Sequence, residues 1–142
     1  MRHHETELDR AKEAKVGQVV ESHFKCELRA APRNYKIDFV AVRNKKLVAF
    51  VEVKNRNYTM AEIERMGGYM VALQKWVNAK AVHDATGLKF VLAIGAQDGV
   101  WVAAISDFFV ENLIYGGRTD RGDWQDMEPC VLVSVSRFKK IT

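Results

Sequence analysis

Two apolar segments separated by a short turn constrain the fold of this chain more than any other feature. Residues 35–42 (YKIDFVAV) and 46–54 (KLVAFVEVK) are rich in the β-branched and aromatic residues that favour strands, and only RNK lies between them. Successive side chains of a strand point to opposite faces, and here both faces are apolar over most of their length. We therefore predict a hairpin in a sheet that helices cover on both sides.

The segments around this hairpin alternate between helical and strand patterns. Apolar residues recur at helical spacing over residues 5–25. A capping pair, Thr59 and Glu62, starts a second helical pattern, which predicts one long helix over about residues 60–83 that ends before Gly87. Further strands are predicted at residues 26–32, 88–95, 100–105 and 130–136, and a short helix at 107–115. This order predicts an α/β fold with a central mixed β-sheet flanked by helices.

The composition narrows the class of protein. With 142 residues, of which 48% are hydrophobic and 28% charged, the chain has the balance of one globular domain, which we expect to span residues 1–142. Its two cysteines, Cys26 and Cys130, are too few for a disulfide scaffold, and neither a secretory signal nor a membrane span is visible. We therefore expect a cytoplasmic protein. The net charge of +4 is compatible with a nucleic-acid partner.

Charged residues interrupt the hairpin only at the end away from its turn. If the turn centres on Lys45, Asp38 lies directly opposite Glu52, with the Cβ atoms roughly 5 Å apart. Two carboxylates at that distance repel each other and are costly to desolvate, and a divalent cation such as Mg²⁺ would remove both costs. Lys54 shares a strand face with Glu52 and would point at the same volume. A salt-bridged cluster of the three residues at a solvated sheet end would explain the same pattern.

The hairpin and its flanking helices resemble the PD-(D/E)XK nuclease superfamily. The motif residues are ID at 37–38 and EVK at 52–54, separated by thirteen residues, and the resemblance covers roughly residues 10–95. Ile37 stands where the superfamily name has a proline. The resemblance implies a restriction-endonuclease-like fold and the hydrolysis of DNA phosphodiester bonds with Mg²⁺ or Mn²⁺ as cofactor.

The resemblance also assigns roles to individual residues of this chain. It implies that Asp38 and Glu52 bind the metal with help from the Val53 carbonyl, and that Lys54 orients or activates the attacking water. Many members add a glutamate from the first helix, for which Glu13 and Glu21 are the candidates. Glu13 lies at the edge of the apolar stripe, whereas Glu21 points away from it and is expected to pair with Lys25. Glu13 is therefore the predicted catalytic glutamate.

Residues after the EVK motif are candidates for contacts with the nucleic-acid backbone. These are Arg56, Gln74 and Lys75, because superfamily members often carry a lysine or glutamine in the second helix, facing the substrate. Tyr69 and Trp76 are predicted to be core residues rather than platforms for base stacking. Gly67 and Gly68 would each destabilise the predicted long helix by roughly 1 kcal/mol relative to alanine. A polar loop is predicted at residues 116–129, where nearby acids nearly cancel the arginines, and its role stays open.

Three functional hypotheses follow. The leading one is a small, structure-selective endonuclease that acts on double-stranded or branched DNA, since 142 residues leave little room for a separate recognition domain. The others are an exonuclease or restriction-like enzyme, and a non-catalytic nucleic-acid-binding module on the same fold. The intact set of Asp38, Glu52 and Lys54 favours an enzyme. A homodimer would use Val131, Val133 and Val135 or the segment FFVENLIY, although core packing explains these residues equally well.

Overall fold

Two β-sheets and three α-helices form an α/β fold in the computed structural model, which describes residues 7–117 and 127–142. The α-helices are α1 (Glu7–Phe24), α2 (Met60–Arg65) and α3 (Leu73–Thr86). The strands are β1 (Glu27–Ala30), β2 (Phe39–Arg43), β3 (Lys46–Asn55), β4 (Tyr69–Ala72), β5 (Lys89–Ala96), β6 (Gly99–Ala104), β7 (Leu113–Gly117), β8 (Met127–Val133) and β9 (Lys139–Lys140). Among the described helices, none is long and apolar enough to cross a membrane.

The central sheet is mixed, as predicted. Its strand order is β1-β2-β3-β5-β6-β9, and every neighbouring pair is antiparallel except β3 and β5, which are parallel. A parallel pair needs a long crossover between its strands, and here the segment from α2 to α3 provides it. The sheet thus has β3 near its middle, between the hairpin partner β2 and the parallel strand β5.

The hairpin register places Asp38 beside Glu52 through an irregularity that the sequence does not reveal. The turn consists of Asn44 and Lys45, both with positive φ, as a two-residue hairpin turn requires. From Arg43↔Lys46 the pairing would set Asp38 opposite residue 51, but a β-bulge shifts the register by one residue. Phe39 consequently pairs with Val51, and Asp38, immediately before β2, comes level with Glu52.

Both faces of the central sheet are covered, as predicted. On one face α1 packs through Val16 and Val20 against alternate residues of β3, including Val51 and Val53. On the other face Trp76 and Ala79 of α3 join a larger core with residues of β3, β5 and α2. The second cover is not made of helices alone, because a three-stranded sheet with the order β4-β8-β7 contributes to it.

The predicted long helix over residues 60–83 is wrong. The capping box of Thr59 and Glu62 does start a helix, and Gly87 ends α3 with φ 73°, but the chain between them is not one helix. Gly67 and Gly68 have φ values of 101° and 125°, which stop α2 and turn the chain into β4. A Cβ atom at Gly68 would lie only 2.6 Å from a backbone oxygen of β8. The two glycines thus permit a strand to begin where a helix was expected.

This break changes the environment of the apolar stripe expected along the predicted helix, which consists of Ile63, Met66, Met70, Leu73 and Val77. Ile63 and Leu73 pack into or against the core, whereas Met66, Met70 and Val77 are exposed. The stripe was derived from the phase of one continuous helix, so it fails once that helix is divided. Tyr69 and Trp76 are buried, and their predicted place in the core is confirmed.

The predicted short helix over residues 107–115 is also wrong. Ser106 lies in a 3₁₀ helix, Ile105–Asp107, where its buried hydroxyl accepts a hydrogen bond from the Phe90 amide at 3.0 Å. The end of that segment forms β7, which pairs with β8. Strand β8 begins earlier than predicted, so β7 and β8 take up both ends of the expected loop. Residues 118–126 of that loop, with Arg118 and Arg121, lie outside the described residues.

Candidate functional site

The candidate site lies where β3 leaves its pairing with β2. Alternation along β3 directs Phe50, Glu52 and Lys54 to the face covered by α3, and Val51 and Val53 to the face covered by α1. Asp38 is placed beside Glu52 by the bulged register, and α3 brings a further lysine to the same end of the sheet. Four charged side chains therefore converge from three parts of the chain.

Lys54 lies between the two predicted metal ligands. Its Nζ atom is 4.0 Å from Asp38 Oδ2 and 4.0 Å from Glu52 Oε2, within ion-pair range but too long for hydrogen bonds. Lys75 approaches the cluster from α3 and donates a hydrogen bond of 3.2 Å to Glu52 Oε1. The same ammonium contacts the Lys36 carbonyl oxygen at 3.4 Å. The structure thus brings together Asp38, Glu52 and Lys54, the residues that the hairpin predicted.

Glu52 is the most deeply buried carboxyl group of this cluster. Its exposed fraction is 4%, and its pKa is raised from 4.5 to about 7, with desolvation by burial as the largest cause. A side-chain hydrogen bond with Asp38 and the charge of Asp38 contribute to this rise, whereas Lys54 and Lys75 oppose it. Near neutral pH the metal-free pair of carboxyl groups therefore holds a proton between them much of the time.

A hard divalent cation fits the chemistry of this pair. Carboxylate oxygens are the ligands that Mg²⁺ and Mn²⁺ prefer, and a cation would replace the proton that the buried pair otherwise retains. Within the described ranges no group of three or more His, Cys, Asp or Glu side chains is placed to hold a metal. Asp38 and Glu52 are the two carboxyl groups of the cluster that could hold a cation. The part of the Val53 carbonyl stays a prediction. The backbone of Val53 pairs with Ala93 of β5, and its side chain is buried.

The two candidate glutamates of α1 have different environments. Glu13 is half-buried, and its charge contributes to raising the pKa of Tyr69, a residue that also senses the charge of Glu52. The charges of Glu13 and Glu52 therefore act on the same tyrosine. Glu21 instead accepts a hydrogen bond of 2.9 Å from the Leu28 amide, which ties α1 to β1. The expected ion pair of Glu21 with Lys25 is absent from the structure described, so that expectation is wrong.

The charged cluster opens into a cavity of about 190 Å³. Arg56 and Lys75 line it together with Glu52 and Lys54, as predicted for residues near the site. Gln74 is exposed and does not line this cavity, because α3 starts at Leu73 and its phase directs Lys75 inward. The position of Gln74 therefore does not support its predicted contact with the nucleic-acid backbone.

Tyr69 is the residue of this cavity that sequence reasoning missed as a site residue. It was expected only in the core, and it is indeed 5% exposed, but it also lines the cavity beside Glu52. Burial raises its pKa, Arg56 opposes this shift, and Glu52 and Glu13 add to it, so the phenol stays protonated. The signal that could have placed it is the sequence GGYMVA, in which two glycines precede a segment able to form a strand.

Comparison with known proteins agrees with this geometry. The chain matches the model of a family described as "phage putative PDDEXK endonuclease" over residues 1–141. The match extends beyond the hairpin and its flanking helices to the second sheet and the C-terminal strand β9. A search of curated proteins found no match to the chain.

Proposed function

The chain belongs to the family described as "phage putative PDDEXK endonuclease", and on that premise we propose that it is a Mg²⁺- or Mn²⁺-dependent nuclease that hydrolyses DNA phosphodiester bonds. The observation that carries this proposal is the convergence of Asp38, Glu52 and Lys54 at one end of the central sheet. A salt-bridged cluster at a solvated sheet end would not need to bury Glu52 against another carboxyl group.

The carboxyl pair supplies the metal-binding part of the site. Asp38 and Glu52 would hold the cation, with the Val53 carbonyl as a third oxygen ligand. The bound cation would lower the pKa of a coordinated water and offset negative charge on the phosphate. Glu13 acts through its charge on Tyr69, as Glu52 does, and we propose that it positions water or metal through that negative charge.

Lys54 supplies the positive charge that acts on the reacting atoms. It is 4.0 Å from each carboxylate, so it is held close to the metal-binding oxygens without being a ligand itself. From that position its ammonium would orient the attacking water or stabilise the charge that develops on the phosphate oxygens. Lys75 and Arg56 add two further cations to the cavity and would bind the nucleic-acid backbone.

We further propose a structure-selective endonuclease that acts as a homodimer on duplex or branched DNA. Of the two candidate interfaces, the first is removed from consideration, because Val131 and Val133 are buried in the core of the protomer and Val135 packs against it. Exposed apolar residues occur instead in the FFVENLIY segment, where Phe109, Leu113 and Tyr115 are exposed by 86%, 55% and 67%. This surface is the proposed dimer contact.

The remaining expectations are compatible with this proposal. Cys26 and Cys130 are both free thiols, as a reducing cytoplasm would keep them. The proposed catalytic unit is one domain over residues 1–142.

Cleavage assays on a panel of DNA structures test the proposed function. Linear duplex, single-stranded, nicked and four-way-junction DNA would be incubated with Mg²⁺, Mn²⁺ or EDTA. We expect metal-dependent internal cleavage with a preference for branched DNA, and no cleavage by Asp38→Asn. The matched control is Asp107→Asn, which removes an exposed carboxylate paired with Lys89 far along the sequence from the cluster. DNA binding without cleavage under every metal condition would favour the non-catalytic alternative.

A further inference from the structure

Tyr69 lines the cavity and makes several contacts with its surroundings. It is the first residue of β4, where its backbone pairs with Val133 of β8 immediately after the glycine turn. Its ring packs edge-on against Phe138, with ring centroids 6.1 Å apart, and the guanidinium of Arg56 lies 5.4 Å from its centroid. Ring position is thus fixed by a strand, an aromatic contact and a cation.

Among the residues that the structure describes, none forms a hydrogen bond with the hydroxyl of Tyr69. Throughout residues 7–117 and 127–142, Tyr69 makes ring contacts and senses nearby charges, but its hydroxyl has no hydrogen bond. A buried tyrosine hydroxyl usually finds a partner, and leaving one unpaired destabilises a folded protein. The hydroxyl of Tyr69 therefore lowers the stability of the fold, and packing alone does not require it, since phenylalanine would fill the same volume.

The cavity that Tyr69 lines indicates which group would accept its hydrogen. Tyr69 lines the same cavity as Lys54, Lys75 and Arg56, three cations that together attract an anion. The carboxyl groups of the cluster are occupied with each other and with the lysines. The acceptor that best fits this cavity is therefore an anionic oxygen of a bound ligand. A hydrogen bond from the phenol to such an oxygen would be charge-assisted.

We propose that Tyr69 donates its phenolic hydrogen to a non-bridging oxygen of the DNA phosphate that is cleaved. This inference rests on the proposed nuclease function. The contact strengthens as negative charge grows on the phosphate oxygens, so Tyr69 acts mainly on the rate of the reaction. It is a catalytic residue in addition to the charged set that the hairpin contains.

Tyr69→Phe tests this role because it removes only the oxygen and keeps the ring. Three quantities would be measured on one preparation: the melting temperature without metal, DNA affinity in EDTA, and the single-turnover cleavage rate at saturating DNA with Mg²⁺. We expect an unchanged or raised melting temperature, because an unpaired buried hydroxyl is lost. The rate should fall by about tenfold to a hundredfold, the effect of losing a hydrogen bond to a charged group, with little change in DNA affinity. Tyr35→Phe, at an exposed tyrosine, is the matched control and should match the wild type in all three.

Two results would overturn the inference while leaving the nuclease function intact. One is a Tyr69→Phe rate equal to that of a cleaving wild type. The other is a lowered melting temperature with a rate that falls only in proportion to the folded fraction, which would show a structural hydroxyl. A wild type that cuts none of the DNA structures would instead overturn the proposed function, and this inference with it.

Discussion

Glu52 and Asp38 share a side-chain hydrogen bond at the end of the hairpin, with Glu52 only 4% exposed. Two carboxylates that are in contact and shielded from solvent lower the stability of the fold unless a proton or a cation lies between them. The burial that weakens the metal-free fold is therefore the same property that would favour a divalent cation.

This relationship predicts how the metal-free protein responds to pH. The pKa of Glu52 is raised from 4.5 to about 7 in the folded state. Its contribution to stability is thus fully present below the unfolded pKa and is lost as pH rises through about 7. Glu52→Gln mimics the protonated carboxyl, so in EDTA it should melt like the wild type at about pH 4.5 and at a higher temperature above about pH 8. If Glu52→Gln and the wild type melted at the same temperature at both pH values, the burial of an ionisable Glu52 would be contradicted.

Metal binding should stabilise the fold through the same two residues. An ion that binds only the folded state adds about 1.4 kcal/mol to the free energy of unfolding at ten times its dissociation constant. We expect millimolar Mg²⁺ or Mn²⁺ to raise the melting temperature of the wild type, and to leave that of Asp38→Asn unchanged. Asp107→Asn should respond like the wild type, since its carboxylate lies at an exposed ion pair. Equal metal-induced shifts in the wild type and Asp38→Asn would place the ion elsewhere.

The glycine turn before β4 gives a prediction about stability alone. Gly68 has φ 125°, and a Cβ atom there would lie 2.6 Å from the Val133 carbonyl oxygen. Gly87 has φ 73°, and a Cβ atom there would meet nothing within 4 Å. Gly87→Ala should cost about 1–2 kcal/mol from the left-handed backbone alone, and Gly68→Ala distinctly more. Denaturant unfolding of both variants measures the difference. Equal losses would show that the approach of β8 to Gly68 does not matter.

The core of the site could be predicted from the sequence because it depends on local rules. Strand alternation places Glu52 and Lys54 on one face, and a hairpin fixes which residue lies opposite Glu52. The register was right near Asp38 even though the turn is one of two residues, since the β-bulge compensates for the shorter turn. The β-bulge depends on packing, and no residue in the hairpin sequence indicates it.

The segment from Thr59 to Gly87 could not be predicted from its own pattern. Its apolar residues recur at helical spacing, but β4 forms because Tyr69 and its neighbours pair with β8, about sixty residues later in the chain. Long-range pairing of this kind overrides local propensity. The position where α3 begins then decides that Lys75 faces the cavity and Gln74 the solvent. For the same reason, the site role of Tyr69 became visible only in the folded chain.

The most direct test of the proposed catalytic site is the single-turnover cleavage rate of Lys54→Ala, measured together with its melting curve on one preparation. If Lys54 acts on the water or the phosphate charge, the rate should fall by about a hundredfold or more while metal affinity and fold change little. Lys89→Ala, which removes an exposed lysine paired with Asp107, is the matched control and should retain activity. A stable and inactive Lys54→Ala is the predicted result. A variant of lowered stability, whose activity falls only with its folded fraction, would show that Lys54 merely neutralises the two carboxylates and would contradict the catalytic site.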